Sequence, residues 1–98
     1  MTPYVVLGKY TQQGMRNIKN LANLVAAAEG FVASKGGRVI ADYNTFGPYD
    51  FVFVFEMPRV EDVAEGLLIF GSQGDVTTLT MQAFQANDFA KIAAGLPG

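Results

Sequence analysis

The chain has 98 residues, which is enough for one domain and too few for two. It is 50% hydrophobic but only 16% charged. Its net charge is −2 and its basic residues are scattered, so it lacks the basic patch by which a protein binds nucleic acid. The absence of cysteine and histidine excludes disulfides, Ser-His or Cys-His nucleophiles, and metal or haem sites ligated by either residue.

A small domain has a large surface for its volume and should carry more charge than the roughly 25% of an average domain. The deficit predicts that a partner covers part of the surface. No apolar run approaches the ~20 residues of a membrane span, and the first residues lack the pattern of a secretory signal. We therefore expect a cytoplasmic protein that binds no membrane, no nucleic acid and no cofactor.

The first part of the chain predicts a strand and a helix. Residues 4–10 (YVVLGKY) are mostly β-branched and aromatic, as is typical of a strand. Residues 11–15 predict a turn or a short helical lead-in, with Thr11 as its cap. An amphipathic helix follows, because apolar residues recur at alternating steps of three and four: Ile18, Leu21, Val25, Ala28 and Val32. Glycines at 36–37 end this helix by supplying a left-handed conformation.

The second strand, residues 38–45, alternates between apolar and polar side chains and predicts a half-exposed strand. Its apolar set is Val39, Ala41 and Tyr43. Its polar set, expected on one face, is Arg38, Asp42 and Asn44. Ile40 is the exception to the alternation. The polar face could form the mouth of a cavity or an exposed row on an edge strand.

The remaining elements are a strand, a helix and a strand. Residues 51–57 (FVFVFEM) are apolar except for one glutamate. Residues 59–71 predict a helix, and residues 74–84 alternate as a strand with a mildly polar row. That row is Thr78, Thr80 and Gln82. It could face a partner sheet, lining a semi-polar cavity, or make cross-strand or intersubunit hydrogen bonds.

The order of elements predicts an α+β, ferredoxin-like βαββαβ fold with two helices on one face of a four-stranded antiparallel sheet. The single domain has a core of about residues 3–86, and a short helix beginning at Asn87 or Asp88 forms a tail over 87–98. In the third strand, phenylalanines point to one face and valines to the other. Since two helices cover only one face, we expect an identical sheet to cover the other, giving a homodimer.

Three segments resemble the GYD-domain family of small bacterial and archaeal proteins: YTQQGMRNIKN (10–20), GGRVIADYNTFGPYDFVFVFEMP (36–58) and GSQGDVTTLTMQAF (71–84). The resemblance implies a ferredoxin-like, dimeric α/β-barrel fold and a bacterial protein. It implies no activity, because the function of the family is undefined. The Gly-x-Tyr-Asp turn of the family is present as Gly47, Pro48, Tyr49 and Asp50.

The chain departs from the family pattern at two positions. Pro58-Arg59-Val60-Glu61 stands where the family reads Pro-Asp-Asp-Glu, so the helix start lacks its capping aspartate. Thr77 stands where a basic residue is common, so the resemblance carries no charged role to this position.

Six residues are candidates for ligand binding: Tyr10, Arg16, Tyr43, Tyr49, Asp50 and Glu56. Each also has a structural interpretation, which we favour. The tyrosines suit amphipathic packing, residues 47–50 suit a hairpin turn, and residues 11–17 suit helix capping rather than anion binding. Glu56 is the acid of an apolar strand, so it needs a partner, such as Arg38 or Lys9, or has a raised pKa.

Three functions remain open from the sequence. The favoured function is a non-enzymatic homodimer that binds a small molecule or another protein. The first alternative is a small cofactor-independent enzyme, such as an oxygenase, isomerase or lyase, which rests on fold analogy alone and is weakened by the lack of histidine. The second is a purely structural role in assembly. No catalytic residue and no metal ligand is predicted.

Overall fold

A computed structural model describes all 98 residues, and every element predicted from the sequence is present. The strands are β1 (Thr2–Tyr10), β2 (Arg38–Asn44), β3 (Phe51–Met57) and β4 (Val76–Gln82). The helices are α1 (Gln12–Arg16), α2 (Leu21–Ser34), α3 (Val60–Ser72) and α4 (Ala86–Ala94). A 3-10 turn at Ile18–Asn20 joins α1 to α2, so the predicted lead-in is helical and the long helix begins later than its apolar stripe.

The strands form one antiparallel sheet in the order β2-β3-β1-β4. The two most continuously apolar strands, β1 and β3, therefore lie at the centre, as the ferredoxin-like fold requires. Their register places Val5 opposite Val54 and Val6 opposite Phe53. The predicted fold is confirmed.

The hydrophobic core lies between the sheet and helices α2 and α3. Its buried residues come from both central strands and both helices: Tyr4, Val6, Val32, Phe55, Met57 and Val63. Phe51 and Phe53 pack against the same cluster, so the phenylalanines of β3 face the helices. The valines of β3 face the opposite side, because successive side chains of a strand alternate.

A β-bulge in β2 corrects the predicted faces of that strand. The register shifts between Val39, which pairs with Phe55, and Ala41, which pairs with Val54. The extra residue is Ile40, the one that broke the alternation in the sequence. Because a bulge inserts one residue, it exchanges the two faces beyond it.

The three polar residues of β2 therefore do not share a face, as the sequence pattern had predicted. Arg38 pairs with Glu56 on the side of the sheet away from the helices. Asp42 pairs with Phe53 and Asn44 with Phe51, on the side covered by the helices. Only the two residues after the bulge can reach the space beneath α2.

The polar row of β4 also faces the helices rather than a partner sheet. Thr80 pairs with Val6 and Thr78 with Gly8, on the helix-covered side. The Thr80 hydroxyl is buried without a hydrogen-bond partner. The row therefore supplies no polar contacts to the other side of the sheet, where Leu79 and Met81 lie.

Helix α3 begins without a side-chain cap. Arg59 occupies the N-cap position in an extended conformation, with φ −130° and ψ 128°, and its side chain makes no capping hydrogen bond. This agrees with the missing aspartate noted in the sequence. The nearby Arg59–Glu61 ion pair, at 4.0 Å and largely exposed, compensates little.

We expect Arg59→Asp to stabilise the protein by about 1 kcal/mol, because a carboxylate at this position accepts a hydrogen bond from a backbone N–H in the first turn. Arg59→Ala is the control, since it removes the arginine without adding a cap. The free energy of unfolding in urea should rise for the aspartate variant and stay near the wild-type value for the alanine variant. Equal stability of the two variants would contradict the capping argument.

Helix α4 extends from the rest of the domain. All of its residues are exposed, and its apolar side chains Phe89 and Ile92 are 56% and 54% exposed. The radius of gyration is 15.2 Å, against about 13 Å for a compact chain of this size. None of the helices has the length and apolar character needed to cross a membrane.

Candidate functional site

A cavity of about 110 Å³ lies between the sheet and helices α2 and α3. Hydrophobic side chains form 16 of its 20 lining residues. Aromatic rings dominate its walls: Phe31, Phe51, Phe53, Phe55 and Phe70. Phe31 and Phe70 meet edge to face with ring centroids 6.3 Å apart. The cavity is therefore suited to an apolar group about the size of one ring.

The polar lining groups come mainly from the ends of β1 and β2. Tyr10, Asp42 and Asn44 all line the cavity, and the Asn44 amide donates a hydrogen bond to the Tyr10 hydroxyl. Burial, together with the negative charges of Asp50 and Asp42, raises the pKa of Tyr10 above its usual value, despite the hydrogen bond from Asn44. Tyr10 is therefore a neutral phenol at physiological pH.

Asp42 forms a carboxyl pair with Glu29 of α2. Burial, the hydrogen bond between the two side chains and the negative charge of Glu29 raise the pKa of Asp42 from 3.8 to about 6. None of the four ion pairs of the molecule includes either residue. Asp42 therefore lines the cavity as its only acid, with Glu29 close by, and neither carboxyl group forms an ion pair with a base.

The Asp42 pKa predicts that the protein loses stability as the pH rises through about 6. The folded protein holds this proton more tightly than the unfolded chain does. The proton's contribution to the free energy of unfolding is therefore full below about pH 4 and lost above pH 6. A shift of two pKa units corresponds to about 3 kcal/mol for a buried group. The carboxyl is partly exposed, so we expect about 1 kcal/mol after solvent screening.

Urea unfolding of Asp42→Asn at pH 5 and pH 8 tests this. The amide cannot ionise, so the variant should gain about 0.5 kcal/mol relative to wild type between the two pH values, because about half of the full contribution of the Asp42 proton is lost in this range. Asp88→Asn is the matched control, because Asp88 is an exposed acid on α4. If the unfolding free energies of Asp42→Asn and wild type differed by the same amount at both pH values, the raised pKa of Asp42 would be contradicted.

The side of the sheet away from α2 and α3 is a second candidate surface, called here the open face. Its apolar members come from all four strands: Val5, Leu7, Ala41, Tyr43, Val52, Val54, Leu79 and Met81. Tyr43, Leu79 and Met81 are 65%, 47% and 44% exposed. Such a continuous apolar surface is uncommon on a monomer and indicates an interface.

Glu56 lies at the edge of the open face and is paired with Arg38. The guanidinium donates through Nε at 3.2 Å and through Nη2 at 2.6 Å to the same carboxylate oxygen. The Glu56 side chain is only 14% exposed, whereas Arg38 is 69% exposed. The predicted ion pair is present, so the lone acid of β3 has a structural explanation.

The turn at Gly47–Asp50 is held by backbone hydrogen bonds. The Asp50 carboxylate accepts a hydrogen bond from the Tyr10 backbone N–H at 2.9 Å, and the Asp50 N–H donates to the Gly8 carbonyl at 2.8 Å. Gly47 has a φ of 126°, which glycine adopts readily. The Tyr49 ring lies 5.5 Å from the Lys9 ammonium. These contacts match the turn chemistry expected of the segment.

The polar cluster at the start of α1 binds the connection before β4. Thr11 caps α1 by accepting from the Gly14 N–H at 3.0 Å. Gln13 and Asn17 donate to the Asp75 carboxylate at 3.0 and 3.3 Å. Arg16 is exposed in the last turn of α1. The amides are thus engaged with Asp75, and capping is the role that these contacts support.

The six predicted candidates do not converge on one site. Tyr10 lies in the cavity and Asp50 supports its backbone, whereas Tyr43 and Glu56 lie on the open face. From the sequence, Arg38, Asp42 and Asn44 were either the mouth of a cavity or an exposed polar row; Asp42 and Asn44 line the cavity, whereas Arg38 lies on the other side of the sheet. Glu29 was missed. Its signal in the sequence was an acid three residues before Val32, at the edge of the apolar stripe of α2.

Comparison with known proteins gives three matches. A family model described as the GYD domain matches residues 4–93. A Thermus thermophilus protein named "Glutamine synthetase and cystathionine beta-lyase binding protein" is 34% identical over 89 residues, which cover 90% of this chain and 94% of that protein. A crystal structure of a protein from Thermus thermophilus has a TM-score of 0.49 and 26% identity, covering 88% of this chain and 96% of the other.

Proposed function

The chain belongs to the GYD-domain family, and we propose that it is a homodimeric interaction module that binds a metabolic enzyme. The observation that carries this proposal is the 34% identical relative, whose name describes it as binding glutamine synthetase and cystathionine β-lyase. The similarity extends over nearly the full length of both chains. The expected partners of this chain are therefore the glutamine synthetase and the cystathionine β-lyase of its own organism.

The open face supports the homodimer. Its apolar side chains lie on the two central strands as well as the edges, so the surface is continuous rather than scattered. A second copy of the same sheet has the same shape and polarity and can cover it through a two-fold axis. The Arg38–Glu56 pair lies at its rim and keeps the only acid of β3 neutralised during burial.

We assign helix α4 to the interface of the same dimer, because the area of the sheet alone is too small for a stable interface. Four strands about 4.8 Å apart and about 23 Å long cover roughly 440 Å², whereas a stable interface buries about 800 Å² per partner. The sheet alone falls short of this value. Phe84, which follows β4, contacts Phe89 of α4 with tilted rings and centroids 5.6 Å apart, and both side chains are exposed. We therefore expect the apolar side of α4 to supply part of the remaining interface area.

Two measurements test the proposal. Native mass spectrometry of protein taken directly from cells should give twice the chain mass of 10.5 kDa. Calorimetric titration into each purified enzyme should then give a saturable heat, and an unrelated oligomeric enzyme of similar acidity should give none. A monomer would contradict the homodimer, and an absence of binding to both enzymes at tens of micromolar would contradict the interaction role.

A further inference from the structure

We propose that the cavity between the sheet and helices α2 and α3 binds a small amphipathic amine, with its apolar body among the phenylalanines and its ammonium at the Asp42 carboxyl group. Neither the family nor the relative assigns a ligand to this space. The cavity lies on the opposite side of the sheet from the open face, so this inference is independent of the homodimer and of the enzyme partners.

The size and lining of the cavity define the apolar part of the ligand. The volume is about 110 Å³, and the lining is hydrophobic at 16 of 20 positions. An enclosed apolar cavity of about 150 Å³ takes up benzene. Gly66 of α3 lines the cavity, and a Cβ there would come within 3 Å of the Phe31 ring, so the wall has no room for a larger residue at this position. One aromatic ring or a short branched chain fits this space.

The polar end defines the charged part of the ligand. The Asp42 carboxyl of β2 lines the cavity and forms no ion pair, although the chain has seven basic residues, and Glu29 of α2 adds a second acid beside it. An anionic ligand would be repelled, and a neutral one would leave the acids unpaired. An ammonium group can donate a hydrogen bond to the Asp42 carboxylate and is attracted by the charge of Glu29, because it has three donors and a full positive charge.

The other polar groups near Asp42 would orient the ammonium head group of the ligand. The Tyr10 hydroxyl accepts its hydrogen bond from Asn44 and can donate its own proton toward the cavity. The groups that face Asp42 are Glu29 from α2 and Tyr10 from β1, and neither is a base. An ammonium therefore competes only with the proton on the Asp42 carboxyl group, and its binding should strengthen as that proton leaves.

Phenethylamine is a suitable probe, and 2-phenylethanol is its neutral control of nearly equal shape. We expect saturable phenethylamine binding by NMR titration at pH 8, weaker by about tenfold at pH 5. Binding of the alcohol should be at least tenfold weaker at pH 8 and independent of pH. Equal binding of amine and alcohol, or no binding of the amine at millimolar concentration, would overturn the proposal.

Three variants place the site. Asp42→Asn should weaken phenethylamine binding about tenfold or more at pH 8, and urea unfolding of the same variant at that pH separates lost binding from lost folding. Ala28→Phe should fill the cavity and abolish binding. Asp88→Asn, the exposed control, should bind like wild type. Unchanged affinity in both Asp42→Asn and Ala28→Phe would place the amine elsewhere and overturn the assignment.

Discussion

Replacing Val54 by aspartate is expected to convert the proposed dimer into a folded monomer, with a dimer dissociation constant raised at least a hundredfold. Val54 lies on a central strand, between Val5 and Ala41 of the neighbouring strands, at the middle of the open face. A carboxylate there would be buried without a partner in the dimer, and the two-fold axis would bring two of them close together. In the monomer the same carboxylate remains in water, so the fold should survive.

Ala22→Asp is the matched control, because it adds the same charge at an exposed position in the first turn of α2. Light scattering during gel filtration at micromolar concentration should give a monomer mass for Val54→Asp and a dimer mass for the control. Phe89→Ser should weaken the dimer by a smaller factor, since α4 contributes only part of the surface. A Val54→Asp protein that stays dimeric would show that the copies meet through another surface.

The second large effect is expected for Gly14→Ala, which should lower the free energy of unfolding by about 2–4 kcal/mol. A Cβ on Gly14 would overlap the Asp75 carbonyl oxygen. That carbonyl cannot simply move away. It accepts a hydrogen bond from the Thr11 N–H at 3.0 Å, and the Asp75 side chain is bound by Gln13 and Asn17. The substitution must therefore open the junction between α1 and β4.

Gly30→Ala provides the control on the same type of residue. Gly30 also lies in a helix, α2, but nothing is within 4 Å of its Cβ position. Alanine there should stabilise the protein by about 0.5–1 kcal/mol, because it lowers the entropy of the unfolded chain and favours the helix. Urea unfolding of both variants separates close contact from helix propensity. A Gly14→Ala protein within about 1 kcal/mol of wild type would contradict the packing argument.

The elements that followed from the sequence were those with a clear period. The apolar stripe of α2 and the continuous apolar runs of β1 and β3 predicted both the elements and their places in the sheet, because burial on one or two faces imposes these patterns. A partner for Glu56 was also expected, since a lone acid in an apolar strand needs a nearby base, but the sequence left Arg38 and Lys9 open and the structure shows Arg38. The start of α2 was not predicted correctly, because the 3-10 turn before it has the same apolar spacing as the helix.

The candidate site was predicted only in part. Tyr10 was named, and Asp42 and Asn44 were considered together, but the bulge at Ile40 was not recognised, so Arg38 was placed on their face. Alternation in a strand fixes faces only where the register is continuous, and one inserted residue exchanges them. Glu29 could not be connected with Asp42 from the sequence, because nothing in the order of residues gives the rotation of α2 against the sheet.

The sequence by itself determined the ferredoxin-like order of elements, the apolar character of both faces of the central strands and the lack of histidine and cysteine chemistry. These properties depend on residue type and local spacing. The tertiary structure alone decided which face the helices cover, which polar residues reach the cavity, and that Asp42 and Glu29 meet without a base. These depend on the bulge and on packing between elements distant in the chain, where a shift of one residue reverses every side chain.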